Sequence, residues 1–188
     1  MLGNEGSHAC YVWFENCEVP ADSIVGGQEG RGLKAALRGI NHARLHVAAT
    51  CVGQAIRLIT EMTEYASKRE QFGKRIGEFG QIAAMLADSR AEMAAGRALC
   101  LDCAKQFDAG DQIPFIDIAS AKLFCSEMVS RVADRAVQVM GGLGYMEDLS
   151  DVPRLFRDVR LFRIFEGASQ VQQGNIARSM MKDNESLS

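Results

Sequence analysis

Residues 115–142 read FIDIASAKLFCSEMVSRVADRAVQVMGG, and their spacing decides the fold class. Ile118, Ala121, Cys125, Met128, Val132, Ala136 and Val139 recur at steps of three and four, which places them on one face of an α-helix. Pro114 suits the first turn of that helix, and Gly141-Gly142 is a natural stop. The same period runs upstream. From about Gly30, Leu33, Leu37, Ile40, Arg44, Val47, Cys51, Ala55, Leu58, Met62 and Tyr65 mark one long helix. Phe79, Ile82, Leu86, Ser89, Met93, Gly96, Cys100, Cys103 and Phe107 mark a second, from about Glu78 to Phe107, ended by Asp108-Ala109-Gly110. Downstream, a shorter helix follows Pro153. A last one starts near Ser169, where Ser169 and Gln172 fit a capping box. Long amphipathic helices with short connections must bury their stripes against one another. The expected architecture is therefore all-α: an up-down four-helix bundle with a short extra C-terminal helix.

Residues 1–29 have a different texture. Tyr11-Val12-Trp13-Phe14 is aromatic and β-prone, and Cys17-Glu18-Val19-Pro20 and the turn residues Gly26-Gly27 follow. This predicts one short strand plus a loop, although a lone strand cannot bury a face or pair its backbone. The chain of 188 residues carries a net charge of −3 and no long basic run, which argues against nucleic acid as a partner. No stretch approaches the ~20 apolar residues of a membrane span, and the N-terminus has neither the basic nor the apolar region of a signal peptide. The six scattered cysteines read as reduced thiols of a cytosolic-type compartment.

Several side chains are candidates for chemistry. Cys100 and Cys103 have a metal or redox spacing, but both fall on the apolar stripe and no further ligands complete a site, so a structural role and no metal are expected. His42 and His46 share a helix face without a third ligand. Arg69-Glu70-Gln71-Phe72-Gly73 is either a solvated loop or an anion site, in which the guanidinium meets phosphate and Phe72 covers an aromatic ring. Gln138 to Tyr145, QVMGGLGY, follows a helix rather than preceding one, so it is no P-loop; it is a tight turn or a close backbone approach to a flat ligand. Arg44, on an apolar stripe, is either a snorkelling residue or a ligand clamp. Glu166, between Ile164-Phe165 and Gly167 at the start of a helix, is either favourable electrostatics at a helix N-terminus or a general base beside an apolar wall.

Four segments taken in order resemble the acyl-CoA dehydrogenase family, in its C-terminal part: FENCEVPADSIVG, YASKREQFGKRIGEFGQIAAMLAD, AKLFCSEMVSRVADRAVQVMGGLGY and RDVRLFRIFEGASQVQQGNIAR. The resemblance covers residues 8–180, and QFGK, QVMGGLGY and FEGASQ are specific in combination. It implies a C-terminal helical-bundle domain over 28–188, residues 1–27 as the tail of a middle β-domain, and a chain that is a fragment or a truncated product. It implies an FAD-dependent oxidoreductase that converts an acyl-CoA to a trans-2-enoyl-CoA, with Glu166 as the base for the α-proton and hydride passing to FAD. Some relatives carry the base one residue before the arginine of the first helix, a position held here by Ala43.

By the same resemblance Arg44 and Asn41 bind the thioester end of the substrate, Asn41 standing where many members have aspartate. Arg69 and Phe72 reach the FAD of a neighbouring subunit, Gln138 and Gly142 contact its adenosine-pyrophosphate part, and Gln170 lies near the flavin. Ala168 replaces the usual threonine of this motif, so a hydroxyl contact to FAD and a helix cap are lost unless Ser169 supplies them. A homodimer or homotetramer, an electron-transfer flavoprotein as acceptor, and a cytoplasmic or mitochondrial-matrix location are also implied. The alternatives are an acyl-CoA oxidase and a non-catalytic helical scaffold for oligomerisation.

Overall fold

A computed structural model describes residues 1–110 and 115–185. Its helices are α1 (Gly32–Lys68), α2 (Gly80–Asp108), α3 (Phe115–Met140), α4 (Gly142–Tyr145), α5 (Val152–Val159) and α6 (Ser169–Glu185), and its only sheet among the described residues pairs β1 (Glu70–Gln71) with β2 (Lys74–Arg75). The helix boundaries lie within a few residues of those predicted by the apolar period. The expected helix-starting role of Pro114 lies outside the described residues.

The order is up-down-up-down. Going down α2 from Cys100 to Gly96 to Glu92, the contacts climb α3 from Cys125 to Arg131 and Arg135, so the two run antiparallel. Ser169 at the start of α6 meets Glu127, while Gln173 and Ile176 lie beside Phe124 and Ser120, so α6 returns antiparallel to α3. Thus α6 is the fourth helix of the bundle, and the short helices α4 and α5 sit inside the α3–α6 connection rather than at the C-terminus.

α3 is the central helix, packing on α1, α2, α5 and α6. Its stripe is buried, and Cys125, Met128, Val129 and Val132 belong to one core cluster with Leu58 and Met62 of α1. Burying side chains of this size stabilises by about 1.5–3 kcal/mol each. At Gly96 α2 packs tightly on α3: an added Cβ would stand 3.1 Å from Cys125 Sγ and 3.3 Å from Met128 Cε. Cys51, Cys100, Cys103 and Cys125 all lie in this core. Burial pushes the Cys51 thiol up to about 12.

Three local expectations are corrected. Tyr11–Phe14 form no strand: these residues are exposed and lack regular structure, because no strand among the described residues offers them hydrogen-bond partners. The segment 69–73, read as a loop, is part of a short hairpin, with Glu70 opposite Arg75 and Gln71 opposite Lys74. Phe72 and Gly73 make its turn with φ of 53° and 77°, the left-handed pair that matches strand twist. The capping box at Ser169 does not form. The Ala168 carbonyl accepts the first helical bonds, from the Val171 and Gln172 amides, so Ala168 is the cap and Ser169 already lies inside the helix. Its hydroxyl turns to Glu127 instead. The start of the chain docks on α5, where the Asn4 amide donates to Asp158 Oδ1 at 2.5 Å. Gly3 is required there, since a Cβ would lie 2.6 Å from the Arg157 backbone.

Candidate active site

The segment between α5 and α6 makes a tight turn at Glu166 and Gly167, with φ of 52° and 92°. Glycine adopts this region freely, but glutamate is strained in it and must be held by its surroundings. The holding groups come from three helices. Arg44 of α1 donates from Nε to the Glu166 carbonyl at 3.1 Å, and Gln172 of α6 donates from Nε2 to the same oxygen at 3.0 Å. Lys122 of α3 donates from Nζ to the Gly167 carbonyl at 2.7 Å. The turn is also bracketed by Glu127, which accepts from Arg163 Nε at 2.9 Å and Ser169 Oγ at 2.6 Å. The Glu166 backbone is therefore fixed, while its carboxylate makes no hydrogen bond or ion pair among the described residues.

Arg44 is 9 % exposed. Its Nη1 donates to Asn41 Oδ1 at 2.9 Å, and its guanidinium lies 5.1 Å from the centre of the Phe115 ring. Burial pushes the guanidinium down from the usual arginine range, and the Glu166 carboxylate pulls it back up. The group stays cationic because an arginine starts so high. Arg44, Asn41 and Glu166 thus share one locus, and Gln170 is exposed on the first turn of α6. The Ser169 hydroxyl, the candidate substitute for the one that Ala168 lacks, donates here to Glu127.

A second locus lies at the other end of the bundle. Arg69, Gln71, Phe72, Phe79, Gly141 and Gly142 line a cleft of about 400 Å³. Phe72 is 93 % exposed at the hairpin tip, its ring edge-on to Phe79 at 6.3 Å. Gly141 has φ 58°, so the cleft wall there is bare backbone without a Cβ. Gln138 is exposed on the last turns of α3, near the cleft but outside its lining. Arg44 and Arg69 are separated by most of α1, about 37 Å at the helical rise.

Residues 30–181 match the family model of the acyl-CoA dehydrogenase C-terminal domain. The chain belongs to the acyl-CoA dehydrogenase family. It is similar to the probable acyl-CoA dehydrogenase FadE25 of Mycobacterium tuberculosis, 35 % identical over 182 residues that cover 96 % of this chain and 46 % of the relative. Among solved structures it resembles butyryl-CoA dehydrogenase from Megasphaera elsdenii, at TM-score 0.79 and 34 % identity over 82 % of this chain and 40 % of that one. It also resembles PigA, solved with FAD and proline, at TM-score 0.77 and 30 % identity over 82 % and 40 % of the two chains. The chain spans less than half the length of these acyl-CoA dehydrogenase relatives.

Lys122 and Gln172 escaped the sequence reading as members of this locus. A signal existed for the lysine: it sits four residues after Ile118 and three before Cys125, on the buried stripe of α3, just as Arg44 sits on the stripe of α1. A cation on an apolar stripe needs a buried acceptor, but no rule of spacing says that the acceptor is a carbonyl 45 residues away.

Proposed function

We propose that this chain carries the catalytic base and part of the cofactor site of an FAD-dependent acyl-CoA dehydrogenase. One observation carries the reading: a glutamate held on a strained turn, its carbonyl clamped and its carboxylate free, with a buried arginine beside it. Glu166 takes the α-proton of an acyl-CoA thioester. Arg44, held by Asn41, orients the thioester end. FAD held at the neighbouring residues would supply the hydride acceptor for the β-hydrogen, so that the thioester would leave as the trans-2-enoyl-CoA.

The residues of the second cleft fit a dinucleotide. Arg69 offers a fork-shaped donor to a pyrophosphate, Phe72 offers an open aromatic face, and bare backbone at Gly141 and Gly142 permits close approach. Gln138 and Gln170 complete the proposed FAD contacts. The length of α1 between the two loci supports an assembly in which Arg69 and Phe72 serve the flavin of a neighbouring subunit, hence a homodimer or homotetramer. Residues 1–27 belong on this reading to a β-domain, where Tyr11–Phe14 would find strand partners. No described helix is long and apolar enough to cross a membrane. The proposed electron acceptor is an electron-transfer flavoprotein, and the proposed setting is the cytoplasm or a mitochondrial matrix.

The test is a titration of the chain with FAD, following flavin fluorescence together with mass by light scattering, on wild type and Arg69→Ala. Saturable binding by a dimer or tetramer, weakened by the substitution, supports the shared site. Binding that Arg69→Ala leaves unchanged sinks the assignment of the cleft. A stable oligomer with no FAD binding favours the scaffold reading.

A further inference from the structure

The backbone of the Glu166–Gly167 turn is held by two side chains that the proposed reaction does not use. Lys122 and Gln172 are both 0 % exposed. Among the described residues Lys122 Nζ donates to the Gly167 carbonyl alone, at 2.7 Å, and Gln172 Nε2 is shared between the Glu166 carbonyl at 3.0 Å and the Gly167 carbonyl at 3.4 Å. Both carbonyls are acceptors, so the amide of Gln172 must face them with its nitrogen. Its Oε1 is then left buried without a partner among the described residues. A core built for stability alone would avoid both features, a buried ammonium and an orphaned amide oxygen. Each opposes folding, and each points at the same strained turn. Such concentrations of unfavourable geometry persist where function requires them.

We propose that Lys122 and Gln172 are positioning residues, which through the carbonyls of Gly167 and Glu166 fix the turn from which the Glu166 carboxylate meets the substrate; the proposal rests on Glu166 being the base. The side chain leaves the backbone at the Cα directly before the clamped Glu166 carbonyl, so a backbone shift at the turn carries the carboxylate with it. Reacting atoms must be held to a fraction of an ångström for proton transfer to be efficient, and a misplacement of about 1 Å costs on the order of a hundredfold in rate. The clamp does not depend on the charge of Lys122. Burial pushes its ammonium down, Cys51 pulls it up and Arg44 pushes it down again, yet the nitrogen donates in either protonation state.

The test uses Lys122→Met, which keeps an unbranched side chain one atom shorter and removes its donor, and Gln172→Met as a second variant should the first not fold. In the FAD-loaded enzyme, kcat per bound flavin should fall at least tenfold in either variant. The KM for acyl-CoA should stay within twofold, because Arg44 and Asn41 are untouched. Hydrogen exchange at the amides of 166–169 should quicken about tenfold, with α1 and α3 core amides unchanged. A purely structural role would lower the melting temperature and leave kcat per folded, flavin-loaded molecule as it was; that result overturns the proposal. Glu166→Gln is run alongside. If it abolishes turnover while both methionine variants keep wild-type kcat, the clamp fails alone. If Glu166→Gln turns over normally, the reading of the base fails and the positioning role falls with it.

Discussion

Replacing Gly167 with alanine should destabilise the protein by about 2–5 kcal/mol, although it adds only one carbon. The residue has φ 92°, where a Cβ costs about 1–2 kcal/mol. The same Cβ would stand 2.3 Å from Gln172 Nε2, which has no free volume to enter because Gln172 is fully buried. The amide must move away, its bond to the Glu166 carbonyl breaks, and orphaning such a buried group costs about 1–3 kcal/mol. Gly53→Ala is the internal control. It lies exposed in the middle of α1 with open space around its Cα, and the helix propensity of alanine should stabilise it by about 0.8–1 kcal/mol. Urea unfolding followed by far-ultraviolet circular dichroism reads both. At a slope of roughly 3 kcal/mol/M, the midpoint of Gly167→Ala falls by roughly 0.7–1.7 M while that of Gly53→Ala rises. A Gly167→Ala midpoint at or above that of the wild type would show that the turn relaxes freely, and the argument for a rigidly held Glu166 would collapse with it.

Two further outcomes are expected. Glu166→Gln should abolish acyl-CoA dehydrogenation in the FAD-loaded enzyme while FAD affinity stays within twofold, since the amide keeps the shape of the side chain and loses its basicity; turnover within twofold of wild type removes Glu166 as the base. The second concerns acid stability. Burial alone would raise the Glu127 carboxyl, but the hydrogen bonds from Ser169 and Arg163 and the charge of Arg163 outweigh it and hold the group below its usual value. The unfolded chain takes up this proton near pH 4.3, before the native state does. The stabilisation from Glu127 is therefore complete above that pH and is lost as the pH falls through the lower native value. Urea midpoints measured from pH 7 downward should show a shallower acid limb below about pH 4.3 for Glu127→Gln than for wild type; coincident acid limbs would refute the coupling.

The helices were legible in the sequence because a helix that buries one face must repeat its apolar residues every three or four positions. Cys125, Met128, Val132 and Val139 obey that rule and lie in the core. Glu166, Arg44 and Phe72 could be singled out because each breaks a local rule. An acid sits beside an apolar pair, a cation on a buried stripe, and an aromatic in a polar connection.

What the sequence by itself determined is the all-α bundle and the family, since both follow from residue identity and local spacing. The tertiary structure alone decided which groups meet. Lys122 and Gly167 are 45 residues apart, and Arg44 and Glu166 are 122 apart. No periodicity encodes such pairs, because they arise only when α1, α3 and α6 pack around one turn. The misread capping box has the same cause. Ser169 had two acceptable partners, the local backbone and a distant carboxylate, and the position of α3 brought Glu127 within 2.6 Å. The unformed strand at Tyr11–Phe14 is the converse case: its side chains favour a sheet, but a strand is a property of a pair, and local sequence cannot supply the second member.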